Sequence, residues 1–374
     1  MKRRTLLRLT AAVASAGPAL LAAGRQPVEW AGYDDALVID ALGGPIQFNI
    51  PQQDLPLNQR ALAAVRAAGV SGVNITVHRN AGNGLTARAA SEARMRAWLA
   101  QIDRTPADLM LVRTVEDLHV ARIERRLGLI FGFQDATPVA EDADALEAFH
   151  ALGLRIVQLT YNRANVFGSG CLELRDDGLT VRGHALIEEM DGLGILADLS
   201  HCSAQTTRAA IEVARGPVAI THTGCRSVFN HPRNKDDGTL RRLADRGGVA
   251  GIYLMPFLNP AGAPQSADVI RHIEHALQVC GEDHVGIGTD QGLTPLDTSG
   301  NFPTLFAAAA ARREAAGVAA PREDTIPYVP ELNGPRRMAV IAGLLESRGH
   351  AGRVIEKVLG LNFERLFKAT WTPT

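Results

Sequence analysis

Short aliphatic runs alternate along the chain with stretches of helix-forming composition. Eight runs stand out: Ala36–Asp40, Ser71–Val77, Leu127–Phe133, Leu154–Thr160, Ile195–Ser200, Pro217–His222, Val249–Leu254 and Val285–Asp290. Between them lie helical segments such as Asn58–Ala68, Ala143–Leu152, Gly183–Leu193, Ala204–Ala214, Gly238–Arg246 and Ala267–Val279. Strand, helix, strand in this order makes consecutive βα units, which impose parallel pairing. Eight such units predict a closed (β/α)8 TIM barrel. No Gly-rich phosphate loop follows the first run, which counts against a dinucleotide-binding sheet. Thr298–Pro330, rich in Ala, Pro and Gly, reads as an excursion after the eighth strand, of the kind that covers a pocket. Helical patterning resumes over Pro335–Ser347 and Gly352–Leu366. Residues 25–374 therefore read as one barrel domain with C-terminal helices.

Composition supports a large aliphatic core: 46% of the 374 residues are hydrophobic and only 5% aromatic. The net charge of -1 and the lack of any basic stripe argue against a nucleic-acid partner and favour a small substrate. The N-terminus stands apart. Lys2-Arg3-Arg4-Thr5-Leu6-Leu7-Arg8 puts paired arginines before an apolar run from Leu9 to Ala23, with small residues following. That is the layout of a twin-arginine signal peptide over residues 1–24, handled by the Tat export machinery, and it predicts a periplasmic protein. The run is too short for a stable membrane span. Cys171, Cys202, Cys225 and Cys280 form no CxxC pair and read as small buried hydrophobes.

Functional side chains of a barrel come from the C-terminal ends of its strands. His201 directly follows the fifth run, and the sixth ends at His222 and the eighth at Asp290. Two imidazoles on adjacent strand ends, with a carboxylate closing the ring, suit a divalent metal such as zinc. His78, at the end of the second run, is placed to line the pocket. His272 and His275, three apart on a helix, read as a solvated face.

Several segments resemble the membrane (renal-type) dipeptidases of the amidohydrolase superfamily. They are Ile195-Leu196-Ala197-Asp198-Leu199-Ser200-His201, Pro217 through His222, Asn230-His231-Pro232-Arg233-Asn234, Asp283 through Asp290, and Leu359-Gly360-Leu361-Asn362 with Arg365. The resemblance implies a (β/α)8 barrel with two zinc ions that hydrolyses dipeptides, including those with a D-residue on the C-terminal side, and a tendency to form homodimers. Position by position, it makes His201 and His222 ligands of the second metal and Arg233, with Asn234 beside it, the grip on the substrate carboxylate. It makes Asp290 the acid/base. A guanidinium fork suits a carboxylate, and an aspartate beside an activated water can take and return its proton.

The chain departs from that pattern at four positions. Leu42 and Gly44 stand where the first strand would supply two ligands, Gln134 where a glutamate would bridge the metals, and Tyr161 where a histidine would polarise the scissile carbonyl. Asp135 is one residue off the bridging position, and a one-residue slip reverses side-chain direction. The sequence thus predicts a hydrolase of dipeptides or similar small amides running on one zinc held by His201, His222 and Gln134. Tyr161 and Asp290 are its catalytic groups. A catalytically degenerate binding or assembly protein is the alternative, and another amidohydrolase type such as a deacetylase or lactonase is a third reading.

Overall fold

Each of the eight aliphatic runs forms a strand in the computed structural model, which describes residues 28–47, 55–80, 84–142 and 144–371. The strands are β1 (Ile39–Gly44), β2 (Gly72–Thr76), β3 (Leu109–Leu111), β4 (Leu127–Phe133), β5 (Leu154–Gln158), β6 (Leu196–Asp198), β7 (Ala219–Thr223), β8 (Val249–Ile252), β9 (Val285–Ile287) and β10 (Gln291–Gly292). Pairing is parallel throughout, in the order β10-β1-β2-β4-β5-β6-β7-β8-β9, and β3 lies off this path against the start of β4. The last strand bends through Gly288–Asp290 into β10, whose residues pair with Gly43 and Gly44 of β1. That pairing brings the curled sheet round as a (β/α)8 barrel. It also carries β1 past Asp40, where the sequence run had ended.

Between β2 and β4 the chain spends more than a simple crossover: the helices Ala87–Arg104 and Val115–Glu124 flank β3. The helices begin where polar side chains take up their first free N–H groups. Asn58, Thr86, Thr114, Thr180, Ser203 and Asp236 each accept a backbone hydrogen bond three residues on. The excursion after the barrel carries a helix of its own, Phe302–Ala315. The residues read as an export signal, 1–24, lie outside the described residues. No helix among the described residues is long and apolar enough to cross a membrane.

The ring is tightest under the candidate site. Gly251 of β8 and Gly288 beyond β9 both pack on the Thr221 carbonyl oxygen of β7, and a Cβ on either would collide with it. We expect Gly251→Ala to cost about 1–3 kcal/mol, the usual price of overpacking, read as a lower denaturation midpoint in urea. An unchanged midpoint would show that β7 yields freely at this point.

One histidine differs from the sequence reading. His272 is not on a solvated face: its helix, Ser266–Cys280, turns it fully inward, where it accepts from Cys225 N (2.8 Å) and donates to the Leu258 carbonyl (2.9 Å). It shares the buried face of that helix with Val269, Ile273 and Ala276. His275 pairs with Asp237 at 2.8 Å. All four cysteines are free, and Cys202, Cys225 and Cys280 are buried.

Candidate active site

His201 follows the end of β6 and His222 lies within β7, so adjacent strands aim both rings at one point. Their Nε2 atoms are 2.9 Å apart. The partners behind the rings fix which nitrogens carry hydrogen. Asn162 donates through Nδ2 to the Val318 carbonyl (2.7 Å), which turns its Oδ1 to His201 Nδ1 (2.6 Å) and makes that nitrogen an N–H. Thr221 Oγ1 donates to Asp198 Oδ2 (2.7 Å) and so accepts from His222 Nδ1 (2.9 Å). Both Nε2 atoms are left with lone pairs facing each other, an arrangement that calls for a cation between them. Burial first, then the nearby Arg233, holds both imidazoles well below their usual pKa. They are neutral and fit to be ligands.

A cavity of about 290 Å³ opens beside His201, lined also by Gln134, Tyr161, Arg233, Asp290 and, from the loop after β8, Phe257. Its roof is the excursion, which contributes Phe306, Arg313, Val318 and Glu323. His222 lies behind His201, fully buried and off the cavity wall.

Arg233 is 2% exposed. One of its amino groups donates to the Ser200 carbonyl (2.5 Å), and among the described residues no carboxylate comes within ion-pair distance of it. A buried, unpaired guanidinium at a cavity wall is a receptor for an anion. Asn234, expected to share that task, does not reach the cavity. Its amide donates to the Phe229 (2.8 Å) and Phe257 (2.9 Å) carbonyls and accepts from the Tyr253 hydroxyl. Every polar atom of its side chain is spent on shaping the loop that carries Arg233, which corrects the sequence reading.

Asp290 occupies the bend between β9 and β10 with a φ of 56°, a left-handed conformation that costs a non-glycine residue energy and that functional sites retain. Its own N–H donates to the Leu42 carbonyl (2.8 Å). Just before it, Thr289 is clamped by the buried Asp40, through Oγ1 (2.6 Å) and N (2.8 Å). Burial pushes the Asp290 carboxyl up to about 7, against the pull of Arg233. Tyr161 stacks on His201, ring centroids 4.2 Å apart, and its hydroxyl accepts from Arg313 (3.1 Å), which leaves its own hydrogen to donate.

The donor set that would hold a divalent ion is sparse. Leu42 and Gly44 carry no donor atoms, and Asp135 turns away from the imidazoles. Its carboxylate takes the Thr137 N–H (2.7 Å), the Thr137 hydroxyl, Tyr161 N (2.9 Å) and Asn165 Nδ2 (3.3 Å). Among the described residues no group of three or more His, Cys, Asp and Glu is placed to hold an ion. An ion would therefore rest on the two imidazoles and a neutral amide, Gln134. Its cationic neighbours, Arg233 and Lys235, weaken that grip.

Comparison with known proteins decides the family. The family model for membrane dipeptidases, peptidase family M19, matches residues 40–319. The chain belongs to the membrane dipeptidase family. It is 31% identical over 232 residues to an uncharacterized dipeptidase of Schizosaccharomyces pombe, a match covering 57% of this chain and 56% of that one. It is 30% identical over 227 residues to the dipeptidase VerJ of Clonostachys rogersoniana, covering 57% and 58%. These matches span little more than half the length of either curated relative. The crystal structure of an amidohydrolase from Pseudomonas aeruginosa superposes with a TM-score of 0.76 at 28% identity, over 91% of this chain and 98% of that one.

Within this membrane dipeptidase fold, sequence reasoning missed Asn162, Thr221 and Arg313. Asn162 directly follows Tyr161 and Thr221 directly precedes His222, but nothing local says that either aligns an imidazole. Arg313 comes from the excursion, and only tertiary packing brings it to Tyr161.

Proposed function

We propose that this chain is a metal-dependent hydrolase of dipeptides and similar small amides that works from one ion. The observation that carries the reading is the buried, carboxylate-free Arg233 in the same cavity as Asp290, Tyr161 and His201. Arg233 would hold the substrate's free carboxylate and so fix which way the amide bond lies. Tyr161 would donate to the oxygen that gains charge as water adds to the carbonyl. Asp290 would take a proton from that water and return it to the departing nitrogen. A divalent ion between the imidazoles would supply the positive charge that polarises the carbonyl.

Metal analysis of the purified protein tests this. About one zinc per chain, lost in His201→Ala, is the expected result, with release of free amino acids from a panel of dipeptides whose second residue is L or D. A protein that holds no zinc and releases nothing, yet binds the same ligands, would establish the second reading, a binding protein that keeps the barrel. The donor-free Leu42 and Gly44 favour that alternative.

We further propose export to the periplasm by the twin-arginine route, on the strength of Arg3 and Arg4 before the apolar run. Replacing both by Lys should leave the protein in the cytoplasm, checked by fractionation. Undiminished periplasmic recovery would refute it.

A further inference from the structure

The helix that roofs the candidate site, Phe302–Ala315, turns one face to the barrel. Phe302, Phe306, Ala309, Ala310 and Arg313 recur at the three- and four-residue spacing of such a face. Phe302 is buried, whereas Phe306, Ala309 and Ala310 are half-buried and line the cavity beside His201. An apolar helix face over a hollow leaves packing to be completed. A second aromatic wall of the same cavity is Phe257, in the turn Pro256–Leu258 after β8. Its ring stacks on His231, centroids 4.4 Å apart, and His231 Nδ1 accepts from the Arg233 N–H (3.2 Å). The apolar wall and the carboxylate receptor are therefore tied to one another. Of the other charged groups lining the cavity, Arg313 pairs with Glu323 at 2.7 Å, and Arg312 is exposed.

We propose that Phe257, Phe306 and the adjacent Ala309 and Ala310 form a subsite for an apolar side chain on the residue whose carboxylate Arg233 holds. The preferred dipeptides then end in leucine, phenylalanine or a residue of similar kind. The inference rests on the hydrolase reading above and names its substrate class. Arg233 lines this cavity, whereas a second cavity beside it, of about 410 Å³, is walled by polar side chains such as Thr76, Asn80, Thr137 and Asn165. The side chain of the carboxylate-bearing residue leaves the same Cα as the carboxylate, so it stays in the apolar cavity, next to Phe257. Burying it there removes apolar surface from water on ligand and protein alike. A charged side chain would lose its water against aromatic rings, with the Arg313–Glu323 pair already closed. The alanines set the depth of the subsite. A larger residue at Ala310 would occupy space that the substrate needs.

Initial rates of amino-acid release from Ala-Gly, Ala-Leu, Ala-Phe and Ala-Asp test this on the full chain. Titration calorimetry of the same ligands on Asp290→Asn, which should turn them over slowly, reads binding by itself. Ala-Leu and Ala-Phe should exceed Ala-Gly in kcat/KM by about tenfold or more, the size expected for burying a large apolar side chain. Ala-Asp should be the poorest. Ala310→Leu fills the subsite and Phe306→Ala removes a wall, and each should shrink the leucine-over-glycine ratio by about threefold or more. Leucine is a good helix former, so Ala310→Leu keeps the test valid if Phe306→Ala loosens the roof. Equal kcat/KM for all of these dipeptides, or Ala-Asp as good as Ala-Leu, overturns the apolar subsite and leaves the hydrolase reading standing. A leucine preference that survives in both variants overturns its placement on the roof helix. No release from any dipeptide, with the preference intact in calorimetry, overturns the hydrolase reading and keeps the subsite. If nothing is released and nothing binds, both fall together.

Discussion

Asp290→Asn should lower kcat/KM by about 10²–10⁴-fold, the span that general acid–base groups contribute, while leaving the protein folded. The mechanism above gives Asp290 two proton transfers, and an amide can make neither. Only the ionised carboxylate can accept a proton from water, and burial has moved its pKa up to about 7. The wild-type kcat/KM should therefore rise with pH through about 7 and level off above it, and this limb should vanish from the residual activity of the variant. Stability moves the other way. A carboxyl whose pKa is raised on folding contributes stability that is complete below its unfolded pKa of 3.8 and is lost as pH climbs through about 7. At pH 8 the wild type carries a buried ionised carboxylate, and Asp290→Asn does not. The variant should melt higher than the wild type at pH 8, with the gap closing by pH 4. A flat pH profile in the wild type, or a variant of near-normal rate, removes Asp290 from the chemistry.

Arg233→Ala should raise KM about 100-fold for ligands with a free carboxylate, the loss expected when a bidentate charge-assisted contact disappears. Substrates capped as C-terminal amides lack the anion and should bind poorly to wild type and variant alike. Comparing free acid with amide in both proteins isolates the carboxylate contact from any general damage. Arg233→Lys should not restore the wild-type KM, because a point ammonium cannot reproduce the planar fork or reach the Ser200 carbonyl in the same geometry. If Arg233→Ala discriminates acid from amide as well as the wild type does, the carboxylate is held elsewhere.

These two groups work as a pair. Arg233 is the main pull that opposes the rise in the Asp290 pKa, and substrate binding would spend that positive charge on the incoming carboxylate. The carboxyl should then be a stronger base in the complex than in the free protein.

The sequence by itself determined the barrel. Periods of aliphatic residues bounded by polar caps fix strands and helices locally, and eight βα units leave a parallel ring as the economical way to bury them. It also determined which site residues are present and which ligands are missing, because Leu42 and Gly44 lack donor atoms wherever they fall. Only the tertiary structure decided what those residues do. Asn162 and Thr221 set the imidazole tautomers through hydrogen bonds that no spacing encodes. Asn234, adjacent to Arg233, is turned into the loop while its neighbour faces the cavity. Arg313 meets Tyr161 across 152 positions. Such contacts depend on the direction of side chains once distant segments pack, and a local pattern constrains burial much more tightly than it constrains partners.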